Sequence, residues 1–386
     1  MNVVFLSPHF PPNFYLFCAA LRKHGITALG IADSPFEHLR EELRSSLTGY
    51  YRVHDMHNYG ELVNALNYFT DRYGRIDRLD SLNEYWLTTE AKLRTDFNIP
   101  GIKSDTITDM RLKSRMKNIF NSAGVDSARG ILVTALGPAR AFISEAGYPV
   151  IAKPDGGVGA ADTFKLTSDA ELDRFFQSGP KVPYYLEEFI EGRMFTFDGL
   201  TDRDGNLVFY TSHTYSQGIM ETVNDDLDIF YYSLRDIPSD LEAEGLKLLK
   251  AFDVRERFFH FEFFRTASNK IKALEVNMRP PGGLTTDMFN FACDIDVYDL
   301  WARILSEGTA DFDFKRKYHC CYISRKFNKK YALNGQDILQ RFKDMLVHHE
   351  KINSAFGRAL GDYGYLLRSE SRDDILSAAE TIQKKA

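Results

Sequence analysis

The segment Phe258–Gly283, FFHFEFFRTASNKIKALEVNMRPPGG, constrains this chain more than any other stretch. Two runs rich in apolar residues flank a polar turn, Ala267-Ser268-Asn269-Lys270, which predicts an antiparallel hairpin. In a hairpin centred on that turn, Glu262 faces Glu275 and His260 faces Asn277. Side chains alternate between the two faces of a strand, so His260, Glu262, Glu275, Asn277 and Arg279 share one face. Phe259, Phe261, Phe263, Leu274, Val276 and Met278 make the other, and that face packs. Two carboxylates opposed across a ladder repel each other and need a partner. Two glutamates and an amide oxygen are hard donors of the kind that suits Mg²⁺. A solvated hairpin face closed by an Arg279 salt bridge fits the same residues.

A chain of 386 residues predicts two or three domains, at roughly 100–200 residues each. With 44% hydrophobic and 26% charged residues, it can build real cores and is not globally disordered. The net charge of −6 gives no general pull on nucleic acid or anionic membrane. No apolar run approaches the 18 or so residues of a membrane span, and the N-terminus lacks the basic region of a signal peptide. Cys18, Cys293, Cys320 and Cys321 have no zinc spacing, and adjacent cysteines pair poorly, so reduced thiols in a cytoplasmic protein are expected.

The first hundred residues alternate between strand and helix: strands at Asn2–Ser7, Ile26–Ile31 and Arg78–Leu82, helices at Phe14–His24 and Tyr59–Tyr73. That alternation predicts a parallel α/β sheet, here without the glycine fingerprint of dinucleotide binding. A basic helix, Asp109–Ala123, carries Arg111, Lys113, Arg115 and Lys117, and a second, Pro138–Glu145, has proline at its first position. Strands then dominate, among them Leu207–His213, and indicate α+β. A helix over Asn290–Leu305 precedes a last unit of strand Tyr318–Ser324, helix Gly335–His348, strand Tyr363–Arg368 and helix Arg372–Lys384.

Two further segments carry chemistry. Val150–Ala161, VIAKPDGGVGAA, delivers Lys153 from a strand into a loop of small residues, whose backbone N–H groups can approach an anion. It lacks the ending of a Walker A loop, and an ordinary turn beside a surface lysine fits as well. Tyr184–Gly192, YYLEEFIEG, reads as an edge strand with acidic residues at its end, or as one offering backbone groups to an adenine.

In order and spacing, these pieces resemble the ATP-grasp superfamily of carboxylate–amine (or thiol) ligases, which includes biotin carboxylase and carbamoyl-phosphate synthetase. The match runs from Lys113 and Ala123-Gly124, through Lys153 and its glycine loop and Glu187–Gly192, to Glu262, Glu275, Asn277, Arg279 and Gly282-Gly283. It covers about residues 1–310. The resemblance implies a Rossmann-like α/β pre-ATP-grasp domain over 1–105, an α+β ATP-grasp domain over 106–312 and a small α+β C-terminal unit over 313–386. It implies that Lys113 and Lys153 contact ATP phosphates, that Gly156, Gly157 and Gly159 close over the γ-phosphate, and that Glu187, Glu188 and Ile190 line the adenine hinge. Glu262, Glu275 and Asn277 would hold Mg²⁺, with Mn²⁺ as a substitute, and Arg279 would join Lys153 as a catalytic group at the transferred phosphoryl. The family often has a glutamate holding ribose where this chain has Met194, and Asp198 is the expected stand-in.

The implied activity is an ADP-forming ligation through an acyl phosphate, joining a small-molecule carboxylate to an amine or thiol. A small-molecule kinase and a non-catalytic nucleotide-binding module are the alternatives. Asn83 and Glu84 at the end of a sheet strand, and His213 and Tyr215 after another, are candidates for substrate contact. A homodimer, with no nucleic-acid or membrane partner, completes the expectation.

Overall fold

The computed structural model describes residues 1–157 and 162–386. Gly159 of the glycine loop lies outside the described residues. Strands β1 (Asn2–Leu6), β2 (Thr27–Ala32), β3 (Gly49–Arg52) and β4 (Arg78–Asp80) form a parallel sheet in the order β3-β2-β1-β4. Val3 to Leu6 are fully buried, as strands covered on both faces require. The helix Tyr59–Tyr73 starts where the Asn58 side chain accepts from the Gly60 N–H, and it stops at Gly74. It lays Leu62, Ala65, Leu66 and Phe69 on the sheet, a helical spacing legible in the sequence. β3 was not anticipated, because GYYR is a half-exposed edge with no apolar run.

A second sheet of four antiparallel strands follows. It contains β5 (Gly130–Val133), β6 (Val150–Pro154), β7 (Phe164–Leu166) and β8 (Tyr184–Glu188), in the order β5-β8-β6-β7. Helix Leu136–Ala146 packs on it, starting two residues before Pro138. Proline is tolerated there because first-turn N–H groups have no intrahelical partner.

The third sheet has nine strands. β14 (Ile271–Asn277), β13 (Phe258–Thr266), β9 (Gly192–Thr201), β11 (His213–Tyr215) and β12 (Phe230–Ser233) continue into β15 (His319–Arg325), β17 (Tyr363–Ser369) and β16 (Leu346–Lys351), with β10 (Leu207–Thr211) pairing β9. Residues beyond 313 therefore extend the sheet that carries the acidic hairpin. The predicted strand Leu207–His213 divides into β10 and β11, both on β9. The predicted helix Gly335–His348 ends at Arg341, and Leu346–Lys351 becomes strand β16 against β17. The predicted helix Asn290–Leu305 is two helices, Thr285–Cys293 and Val297–Glu307. They break at Asp294 in the left-handed region, and Asp296 caps the second.

The hairpin register is the expected one: His260 pairs with Asn277 and Glu262 with Glu275. A bulge then shifts the ladder, so Phe263 faces Ala273 and Leu274 is the extra residue. Ile271 and Ala273, not Leu274, therefore join Phe259, Phe261, Phe263, Val276 and Met278 in the core. Burying each phenylalanine contributes about 1.5–3 kcal/mol, which makes this apolar face the anchor of the acidic one.

Candidate functional site

The basic helix predicted over Asp109–Ala123 is broken at Leu112, which bridges to Gly156. The new helix, Lys113–Ser122, begins there, and its first N–H groups are met by Asp155. The Asp155 carbonyl accepts from Lys113 N at 2.9 Å, and its carboxylate accepts from Ser114 N at 2.8 Å and Ser114 Oγ at 2.9 Å. An anionic cap at a helix N-terminus satisfies open donors and opposes the dipole. The same bonds tie the exit of β6, the strand that carries Lys153, to the start of the helix that carries Lys113.

Three lysines meet carboxylates here. Lys113 Nζ lies 3.6 Å from Glu275 Oε1 on the acidic hairpin. Lys153 Nζ lies 2.5 Å from Glu187 Oε1, and Lys117 Nζ lies 3.2 Å from Glu187 Oε2. All three lysines and Glu187 are buried. Burial pulls the Lys117 pKa down, with Glu187 opposing it, while the two lysines outweigh burial at Glu187 and hold its carboxyl below the usual range. Lys117 was not singled out from sequence. It stands one turn from Lys113, and that i,i+4 spacing was the available signal.

The two hairpin carboxylates are both half-buried, each held by a cation from a different direction: Glu275 by Lys113, and Glu262 by His260 Nε2 at 3.1 Å from Oε1. Asn277 is buried beside them, with Nδ2 on the His260 carbonyl at 3.4 Å. Two carboxylates and an amide oxygen on one face of the hairpin match the hard-donor chemistry of Mg²⁺. Among the described residues no cluster of three or more His, Cys, Asp or Glu has metal-site geometry, so the set depends on the amide.

Arg279 Nε lies 3.7 Å from Glu84 Oε2, and its guanidinium donates to the Pro280 carbonyl at 2.8 Å. Arg111 reaches the other oxygen of Glu84 at 3.5 Å. Burial raises the Glu84 pKa, with Arg279 and Arg111 opposing. Asn83, its neighbour, caps the local turn by accepting from Tyr85 N at 3.0 Å. Glu84 therefore reaches Arg279, whereas Asn83 supports the loop.

At the hinge, Glu188 pairs with Arg129, and its backbone N–H donates to the Arg129 carbonyl at 2.9 Å. Ile190 is half-buried just beyond β8. Gly156 is held in the bridge to Leu112, and Gly157 follows it. Tyr215 ends β11, stacked on Tyr231 at 4.8 Å between ring centroids. His213 is fully buried, with Nδ1 on Asp198 Oδ2 at 2.8 Å.

Asp198 cannot serve as a ribose stand-in. It is 0% exposed and also accepts from His260 Nδ1 at 2.6 Å and Thr196 Oγ1 at 2.5 Å. Burial alone would raise its pKa, but His260 and His213 hold it down to about 2. Burial opposes charge on His260 too, yet Asp198 and Glu262 raise its pKa to about 9, so the ring is an imidazolium at neutral pH.

No family model matches the chain. In sequence it is similar to an L-arginine-specific L-amino acid ligase of Bacillus subtilis, 28% identical over 240 residues, which is 59% of this chain and 57% of that protein. The chain thus spans little more than half the length of this curated relative. In structure it resembles an L-amino acid ligase from Bacillus licheniformis, with a TM-score of 0.77 at 14% identity, covering 98% of this chain and 96% of that one. It also resembles the biotin carboxylase domain of the Hydrogenobacter thermophilus 2-oxoglutarate carboxylase, solved with MgADP. There the TM-score is 0.71 at 16% identity over 99% of this chain and 90% of that one. The fold is that of the ATP-grasp ligases. No helix among the described residues is long and apolar enough to cross a membrane.

Proposed function

We propose that this protein is an ATP-dependent, ADP-forming ligase that joins a small-molecule carboxylate to an amine or thiol, with amino acids as the substrate class. The observation that carries this reading is the 3.6 Å approach of Lys113 to Glu275, opposite Glu262. It sets a cation suited to phosphate against a carboxylate suited to the metal that accompanies ATP. The amino-acid assignment is supported by the relatives named for amino acid ligation, at identities low enough to leave the particular acid open.

In this reading Lys113, Lys117 and Lys153 neutralise the ATP phosphates, and Gly156 and Gly157 let backbone N–H groups approach them. Glu262, Glu275 and the Asn277 oxygen would hold Mg²⁺, which supplies charge neutralisation between the phosphates when bound. Arg279 faces the transferred phosphoryl group. The substrate carboxylate attacks the γ-phosphorus and ADP leaves. The amine then attacks the acyl carbon and phosphate leaves. In this reading Glu84, beside Arg279 and just beyond the carboxyl end of β4, would receive the cationic part of an amino acid. The test is incubation with Mg-ATP, amino acids and hydroxylamine. A hydroxamate formed with equimolar ADP is expected. A phosphorylated product inert to hydroxylamine would assign a kinase, and AMP with pyrophosphate would overturn the reading.

A further inference from the structure

We propose that His260 is a positioning residue that orients two of the three metal-ligand side chains, Glu262 and Asn277, and that buried Asp198 aligns it for this task. The inference rests on the reading of the hairpin as a metal site. β13 is otherwise phenylalanine-rich at this point, with Phe258, Phe259, Phe261 and Phe263 all buried. A buried polar ring in such a strand needs partners at both nitrogens. Asp198 sits in β9 directly across the ladder from His260 and is fully buried. Its Oδ1 takes His260 Nδ1 at 2.6 Å, while Oδ2 takes His213 Nδ1 at 2.8 Å and the Thr196 hydroxyl at 2.5 Å. Both oxygens of Asp198 are therefore engaged, and the ring of His260 is pinned by its Nδ1 edge.

Pinning that edge aims Nε2 at Glu262 Oε1, 3.1 Å away. One oxygen of Glu262 is thereby committed to the imidazole, and the other is presented as a single-oxygen ligand. The backbone of the same residue orients the amide. The His260 carbonyl accepts from Asn277 Nδ2 at 3.4 Å, which engages the amide nitrogen and leaves the Asn277 oxygen free to act as a ligand. One residue thus sets the orientation of one ligand through its side chain and of another through its main chain. Glu275 is reached from the opposite side by Lys113 and is independent of this relay. Hydrogen-bond partners of metal ligands typically change affinity by about 10–100-fold when removed.

The experiment measures Mn²⁺ binding, by the EPR signal of the free ion, at saturating ADP in His260→Ala, His260→Gln, Asp198→Asn and Glu262→Gln. ADP affinity without metal and the metal-free melting temperature are measured alongside. His260→Ala and Asp198→Asn should weaken Mn²⁺ binding about 10–100-fold with metal-free ADP affinity unchanged. His260→Gln, whose amide N–H reaches towards Glu262, should recover part of the loss, and it is the informative variant if His260→Ala does not fold. Wild-type Mn²⁺ affinity in folded His260→Gln and Asp198→Asn, with loss in Glu262→Gln, would overturn this inference alone. Unchanged Mn²⁺ binding in Glu262→Gln would overturn the metal-site reading and this inference with it.

Discussion

Two groups of buried charge in this molecule are built from different side chains for different ends. The first joins the parallel sheet to the acidic hairpin. Arg257 donates to both oxygens of Asp80 at 3.2 and 3.3 Å, to Glu90 Oε2 at 3.0 Å and to the Met278 carbonyl at 2.5 Å. Arg94 donates to Glu90 Oε2 at 2.9 Å and to the Leu79 carbonyl at 2.6 and 3.0 Å. Two anions and two cations cancel, and planar guanidinium forks hold each carboxylate at several points. The second group is Lys113, Lys117 and Lys153 with Glu187, Glu262 and Glu275. Its lysines are point charges on flexible stems, and their ion pairs run from 2.5 to 3.6 Å. A lysine can exchange a carboxylate for a phosphate by rotating its stem, whereas a forked arginine network gives up several bonds at once. Buried charge alone therefore does not mark a site here; how the charge is held does.

The comparison is broken or sharpened by removing one member of each group. The largest effect is expected from Arg94→Ala. Arg94 ties fully buried Glu90 to the Leu79 carbonyl, and its loss removes all of those bonds at once, so stability should fall by about 3–5 kcal/mol in chemical denaturation. A loss under about 1 kcal/mol, the range of exposed pairs, would place this network in the dispensable class. Next comes Lys153→Ala. ATP turnover should drop by about 10²–10³-fold, as when a donor aimed at developing charge is removed. The melting temperature should shift by only a few degrees, because Lys117 still pairs with Glu187. Large losses in both stability and turnover would move Lys153 into the structural group.

The smallest stability effect is expected from Glu275→Gln. Relief of repulsion with Glu262 should contribute about 0.2–1 kcal/mol, offset by loss of the Lys113 pair, so the metal-free melting curve should barely move. The Mg²⁺ concentration for half-maximal turnover should rise markedly. An unchanged Mg²⁺ dependence would take Glu275 out of the metal site.

What was legible in advance follows the range of the forces involved. The hairpin pairing of Glu262 with Glu275 was readable because a short polar turn and a two-residue period leave little freedom. The bulge at Leu274 was not, because one inserted residue leaves the composition of both faces almost unchanged. Lys117 read as one more polar position on a basic helix; only the arrival of Glu187 from β8 shows why it is buried. The break at Leu112 was equally hidden, since its causes, Gly156 and Asp155, lie 44 and 43 positions downstream.

By itself, then, the sequence determined the strand–helix alternation of the parallel opening sheet, the facing carboxylates and most of the apolar face beneath them. Each depends on chain neighbours or on a short repeat of hydrophobicity. The tertiary structure decided that residues beyond 313 continue the hairpin's own sheet, that Lys117 joins Lys153 on Glu187, and that Asp198 is committed to two histidines rather than to a ligand. Those outcomes depend on burial, and a charged side chain is buried only where distant strands bring it a partner strong enough to offset the loss of water.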